Sequence, residues 1–270
     1  MPIDSLRVFM GDDYAVNDKI IIHQPTIREI VDYGEQDYFA MLTALTNYPS
    51  DMKSVLWDAG IDYTKITDFE LFMSLCVAFP LERTRIIFGD LDFQKFRVKK
   101  NDVVGTYLQA DDGTVIDWNV HRLIMEALTT INMIHKQREV PVNEATKMAL
   151  IDWDREDREL AAKRPYHSQL IAFISAMVNY AGFKYDHHTV QDITIYQFFD
   201  AVQRVQLINN AQTLLQGMYI NPFLDSSKVD KSHLNWMQDI TKKNNVKEIT
   251  NGKWQCMGHR PCSSCRWLWF

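Results

Sequence analysis

Cysteine is scarce in this sequence: there are four, three of them in the last 15 residues, and Cys76 alone precedes those. A disulfide framework is therefore excluded for the body of the protein. Cys76 sits inside the apolar run LFMSLCVAF with nothing activating beside it in sequence, so it reads as a small core hydrophobe and not a nucleophile. Positive charge is not in excess either. The formal net charge is −6, which argues against a general electrostatic affinity for nucleic acid, whose phosphates call for clustered Lys and Arg. Long hydrophobic runs are missing: LFMSLCVAF (71–79) and LIAFISAMV (170–178) are about half of the roughly 20 residues that cross a bilayer, so they read as core helices and no membrane contact is expected. The start, MPIDSLRVFMGDD, has no basic segment leading into an apolar one, so no secretory signal is expected and a cytoplasmic location is. Phosphate-loop, dinucleotide and zinc-protease motifs are also absent, and no repeat of fixed period is visible.

What the chain does contain is enough to fold. Apolar residues make up 46%, aromatics 12% and charged residues 24% of it, the balance of a globular protein and not of a disordered one. The pattern predicts a mainly α (α+β) fold: a multi-helix, bundle-like domain over residues 1–240, with a small antiparallel β insert at about 93–117 and a short N-terminal hairpin. The hairpin is placed on SLRVFM and DKIIIHQP, with GDDYAVN as its turn. Helix starts are marked by capping boxes at Thr26/Glu29, Thr67/Glu70 and Thr194/Gln197, by Ser50 as a further cap, and by Ser168 before the apolar stretch 170–178, which is expected at the centre of the core. Gly34 is expected to bend or interrupt the first long helix. Asp112-Gly113 predicts a type I′ turn within the insert. Val120, Leu123, Ile124, Ala127, Leu128, Ile131 and Ile134 define one buried helix face, and Ile195, Phe198, Phe199, Val202 and Val205 another, on a helix that Gly217 and Pro222 should end. The segment around DREDRE, with Asp154/Arg158, Arg155/Glu159 and Glu159/Lys163 four apart, reads as a solvated helix laced with ion pairs.

Few stretches bear chemistry. The acidic run Asp152, Asp154, Glu156 and Asp157 is interleaved with arginines and reads as solvated charge, not a cation site. Asp90 and Asp92 in GDLDF read as a turn, and His187-His188 as a polar loop. Lys95, Arg97, Lys99 and Lys100 with Phe93 and Phe96 form a local basic-aromatic patch, a candidate for single-stranded nucleic acid through charge and stacking; the competing reading is ordinary protection of an edge strand. At the C-terminus, Cys256, His259, Cys262 and Cys265 are of zinc-ligand type, but they are separated by gaps of two residues each. Structural zinc sites normally pair two close ligands with two more after a longer loop. Residues 241–270 are accordingly expected to be a polar linker and a Cys/Trp-rich tail outside the core, with no metal bound and no cofactor in the protein.

Four stretches carry a family resemblance across residues 20–240: HQPTIREIVDYGEQDYFAML, YHSQLIAFISAMVNYAGFKY, DITIYQFFDAVQRVQ and the ending GMY…SSKVDKSHLNWM. They resemble a family of proteins encoded by tailed bacteriophages and prophages of Gram-positive bacteria, often found among virion or tail-assembly genes. The resemblance implies a mainly helical, non-enzymatic morphogenesis protein. It would bind a tape-measure or tail-tube protein during assembly, or become a minor part of the particle, in the host cytoplasm or in the virion. This chain is longer than the usual tail assembly chaperone. A phage accessory protein that binds single-stranded nucleic acid through the 93–100 patch is the alternative.

Overall fold

In the computed structural model, which describes residues 4–102, 105–220 and 230–238, the first element is a helix and not the expected strand. Helix α1 (Ser5–Met10) starts at Asp4, whose carboxylate accepts the backbone N–H groups of Leu6 and Arg7 at 3.1 and 3.4 Å, and it closes at Gly11 with φ at 91°. Local capping at both ends thus outweighs the β-rich composition of SLRVFM. The N-terminal hairpin forms one step later. It pairs β1 (Tyr14–Ala15) with β2 (Ile21–Ile22), and the side-chain oxygen of Asn17 holds the turn by accepting from Lys19 and Ile20 N–H.

The capping boxes form as spaced. Thr26 and Glu29 open α2 (Ile27–Tyr33), and Gly34, at φ 106°, separates it from α3 (Glu35–Thr46). Ser50 is not a cap: it lies buried inside a 3-10 turn (Pro49–Met52) that leads into α4 (Lys53–Asp58), and Asp51 accepts the Tyr48 N–H instead. Thr67 and Glu70 open α5 (Asp68–Cys76), where Thr67 Oγ1 accepts from Glu70 N–H at 3.2 Å and Glu70 accepts the Thr67 N–H at 2.8 Å. These bonds hold the Glu70 carboxyl below the usual range, chiefly through the Thr67 backbone N–H. Thr67→Ala is expected to lower the unfolding free energy by about 1 kcal/mol, measured by urea denaturation; no change in the midpoint would mean that the box contributes nothing.

After α6 (Leu81–Phe88) comes the insert, a three-stranded antiparallel sheet in the order β3 (Arg97–Asn101), β4 (Gly105–Gln109), β5 (Val115–Ile116). The turn at Asp112-Gly113 is present but is not type I′, because only Gly113 has positive φ (82°); Ala110 accepts the Gly113 N–H, and the Asp112 carboxylate accepts from Thr114. Helix α7 (Trp118–Ile131) buries Ile124, Ala127, Leu128 and Ile131 as the spacing predicts, with Ile134 buried just beyond its end. Helix α8 (Glu144–Ala162) follows, then α9 (Leu170–Val178) and α10 (Ile195–Ile220).

Two expectations about these last helices are corrected. Helix α9 is not central: Leu170 and Met177 are buried, but Ile171, Ala172, Ser175 and Ala176 face outward, so a helix apolar but for Ser175 lies on the surface with one side bare. Helix α10 runs through Gly217 to Ile220; Pro222 lies outside the described residues.

The main core is shared by α2, α3, α5, α7 and the first half of α10, and the insert contributes Leu108 and Ile116. Helices α2 and α10 start side by side. Ile27 donates its N–H to the Ile193 carbonyl at 3.1 Å and Ile195 donates to the Pro25 carbonyl at 2.9 Å, so the residues just ahead of each helix accept an N-terminal donor of the other that would otherwise stay open. Tyr38 donates to Asn132 at 2.6 Å within this core. A smaller cluster of Leu56, Tyr63, Leu71 and Ile151 joins α4, α5 and α8. The described residues are thus mainly helical with a small β insert, the fold class expected from sequence.

Candidate functional site

The basic-aromatic patch does not survive as a stacking platform. Asp92 caps a 3-10 turn over Phe93–Lys95 by accepting the Gln94 N–H, and in such a turn residues three apart point the same way. Phe93 and Phe96 therefore both turn inward, at 0% and 2% exposure. Phe93 lies edge-on to Phe88 at 5.0 Å and to Phe72 at 6.2 Å. Rings held in the core have no face to offer a base. The basic side chains stay outside: Lys95 pairs with Asp92, Arg97 donates to the carbonyls of Gln94 and Phe96, Lys99 donates to Gln109, and Lys100 is exposed on β3. What remains of the patch is charge along one strand.

Charge that is buried or half-buried gathers elsewhere, around α4, and sequence reading missed most of it. Lys53 meets Glu139 at 2.6 Å, Lys136 meets Asp51 at 3.3 Å, Lys147 meets Asp62 at 2.8 Å and Arg158 meets Asp154 at 2.9 Å. Lys147 holds the Asp62 carboxyl down at about 2. Burial pushes Asp154 up, but hydrogen bonds from Ser54 and Arg158 bring it below its ordinary value. So Asp154 is not the solvated charge expected from the run of acids and arginines: it binds α8 to α4. The Asp154/Arg158 spacing was visible in sequence, whereas the partner Ser54, a hundred residues earlier, was not. Every one of these ions is matched by its opposite, and such pairs, once buried, hold elements in register. The belt reads as structural.

A shallow cleft of about 540 Å³ opens beside β2 and α6. Its charged side chains are engaged with neighbours: His23 lies 2.8 Å from Asp13, Lys19 donates to the Asp112 carbonyl at 2.6 Å, and Arg85 meets Asp90 at 3.2 Å. Asp90 lies in the turn that follows α6 and Asp92 caps the next one, the local turn roles read from sequence. His187 and His188 are exposed in a loop where Asp186 accepts backbone N–H groups. Cys76 is buried, and burial pushes its thiol up to about 12, far from a reactive thiolate. Among the described residues no group of three or more His, Cys, Asp or Glu is arranged to hold a metal ion. Cys256, His259, Cys262 and Cys265 lie outside the described residues. No helix among the described residues is long and apolar enough to cross a membrane.

Apolar surface is the other outstanding feature. Leu6 and Met10 on α1, Ile171 on α9, and Leu215, Tyr219 and Ile220 near the end of α10 are exposed, as are Trp236 and Met237 in the short segment that packs on α10 through Arg204.

Residues 163–241 match the family model described as YomV second domain. This is a phage-like family, from a Bacillus prophage, and a phage-related protein is what the match supports. The matched stretch contains α9 and α10, so it contributes Leu170, Met177, Phe198, Phe199 and Val202 to the same core as α2, α3 and α7. No curated protein and no solved structure matches the chain.

Proposed function

We propose that this is a non-enzymatic phage morphogenesis protein that acts by binding other phage proteins, as a tail assembly factor or a minor component of the particle. One observation carries the reading. Within the stretch that matches a phage family, α9 and the end of α10 leave large apolar side chains in water, and exposed apolar surface of that kind marks contact with other proteins. Tape-measure and tail-tube proteins of the same genome are the first partners to try.

The test is genetic and biochemical. Deleting the gene is expected to leave lysates with incomplete tails by electron microscopy, and co-expression with the tape-measure and tube proteins is expected to yield a co-purifying complex. Normal particles together with no complex would remove the reading. The single-stranded nucleic acid alternative keeps the charge of β3 in its favour and loses the aromatic half of its argument.

A further inference from the structure

We propose that the outer edge of β3 is a docking site for an extended acidic segment of a partner protein, added as a fourth strand to the β3–β4–β5 sheet. The inference deepens the reading above and rests on it for the partner's being a protein.

Three observations converge on this edge. Among the described residues the sheet order leaves β3 outermost, and all five of its residues are exposed. An edge strand turns alternate N–H and C=O groups away from its one neighbour, a template for another strand. The second observation is a row of side chains across the core-facing side. The register sets Ile116 opposite Leu108 and Leu108 opposite Val98. Ile116 and Leu108 are fully buried, while Val98, the last in the row, is 60% exposed. The row stops one strand short of being covered. The third is charge: Arg97 and Lys99 share the opposite side, Lys100 follows Val98 on the core-facing side, and Lys95 pairs with Asp92 just before the strand.

Charge decides the occupant. A second copy of this chain pairing through the same edge would set Arg97, Lys99 and Lys100 against themselves, and like charges directly opposite oppose pairing. Edge lysines ordinarily serve to refuse strands at large. The same residues admit an acidic strand, because opposite charges across a ladder attract. Single-stranded nucleic acid would satisfy the cations, but it would use neither the backbone edge nor Val98, and the rings that could have stacked its bases are buried. The partner strand is thereby specified: acidic residues opposite Arg97, Lys99 and Lys100, and an apolar one opposite Val98. Running antiparallel, it reads Glu-Glu-Val-Glu in the direction of its own chain.

The experiment uses the full chain with a labelled peptide centred on Glu-Glu-Val-Glu, a Lys-Lys-Val-Lys control and a labelled oligodeoxythymidine, followed by fluorescence anisotropy. The acidic peptide is expected to bind more tightly than the basic one by at least about tenfold. Hydrogen exchange on the unmodified protein should slow at residues 97–101 when the acidic peptide is bound. R97E with K99E should abolish binding, and Val98→Ser should weaken it by about threefold; both change exposed residues, and a thermal melt checks that the variants are folded. Tighter binding of the oligonucleotide would overturn the proposal in favour of nucleic acid. Peptide binding with no slowing of exchange on β3, or with no effect of R97E and K99E, would overturn it too. The two readings fail separately. Incomplete tails on gene deletion with normal tails in the R97E/K99E strain sink this proposal alone, whereas peptide binding with normal particles on deletion sinks the morphogenesis reading.

Discussion

Phe198→Ala is expected to lower the free energy of unfolding by about 3 to 5 kcal/mol, the range for truncating a buried phenylalanine. The side chain is at 0% exposure on the first half of α10, and its ring lies 5.8 Å from Phe199 and 6.4 Å, edge-on, from Phe183. Thr194 caps this helix and the N-terminus of α2 braces it, so the backbone is held while the side chain is removed. A pinned backbone collapses poorly into the space left behind, which puts the cost in the upper part of that range. Tyr219→Ala on the same helix serves as the control. Its side chain is exposed, so the change should stay within about 0.5 kcal/mol. Denaturant midpoints with unchanged slopes would measure both. Equal midpoints for Phe198→Ala and the parent would show that the helix presents a different face to the core.

The pattern of success and failure in reading this chain follows the range of the interactions involved. The boxes at Thr26, Thr67 and Thr194 were legible because both partners lie three residues apart and the hydrogen bonds close locally. The buried faces of α7 and α10 were legible for the same reason: helical spacing alone defines them. At the N-terminus a cap contact was again decisive, but the β-rich look of SLRVFM concealed Asp4 as its source. The candidate site was half legible. Its cations are plain in the sequence and are exposed on β3, yet the direction of Phe93 and Phe96 depends on a 3-10 turn where a strand was read, and on Phe72 and Phe88 being nearby to receive them. Helix α9 fails for a subtler reason. Apolar composition says that a helix prefers burial, but it does not say whether the fold has enough partners to cover every side of it. Apart from Asp154/Arg158, the belt around α4 joins residues 85 to 100 positions apart, and no local pattern announces such contacts.

On the acid side, His121 is the residue through which pH should act most strongly on this fold. It sits on α7 at 4% exposure, with its ring 4.6 Å from Phe72 and 5.3 Å from Phe69, both on α5. An imidazolium is costly in such surroundings, and burial pushes its pKa down from 6.5 to about 4. The unfolded chain therefore takes up a proton near pH 6.5 that the folded chain refuses until about pH 4. In that window the unfolded state holds more protons, so stability falls as pH falls, by about 3 kcal/mol in all, and this contribution levels off below pH 4 once both states are charged. Carboxylates such as Asp62 and Asp154, whose folded values are lowered, also withdraw stability in acid. Their share cancels when the protein is compared with His121→Leu, which keeps the site apolar and removes the titration. The parent should lose about 3 kcal/mol more than the variant between neutral pH and pH 4, with an imidazole NMR titration midpoint near 4. Parallel losses in the two proteins, or a midpoint at the ordinary histidine value, would mean that His121 reaches solvent and that the contact between α5 and α7 is looser than the packing of Phe69, Phe72 and His121 requires.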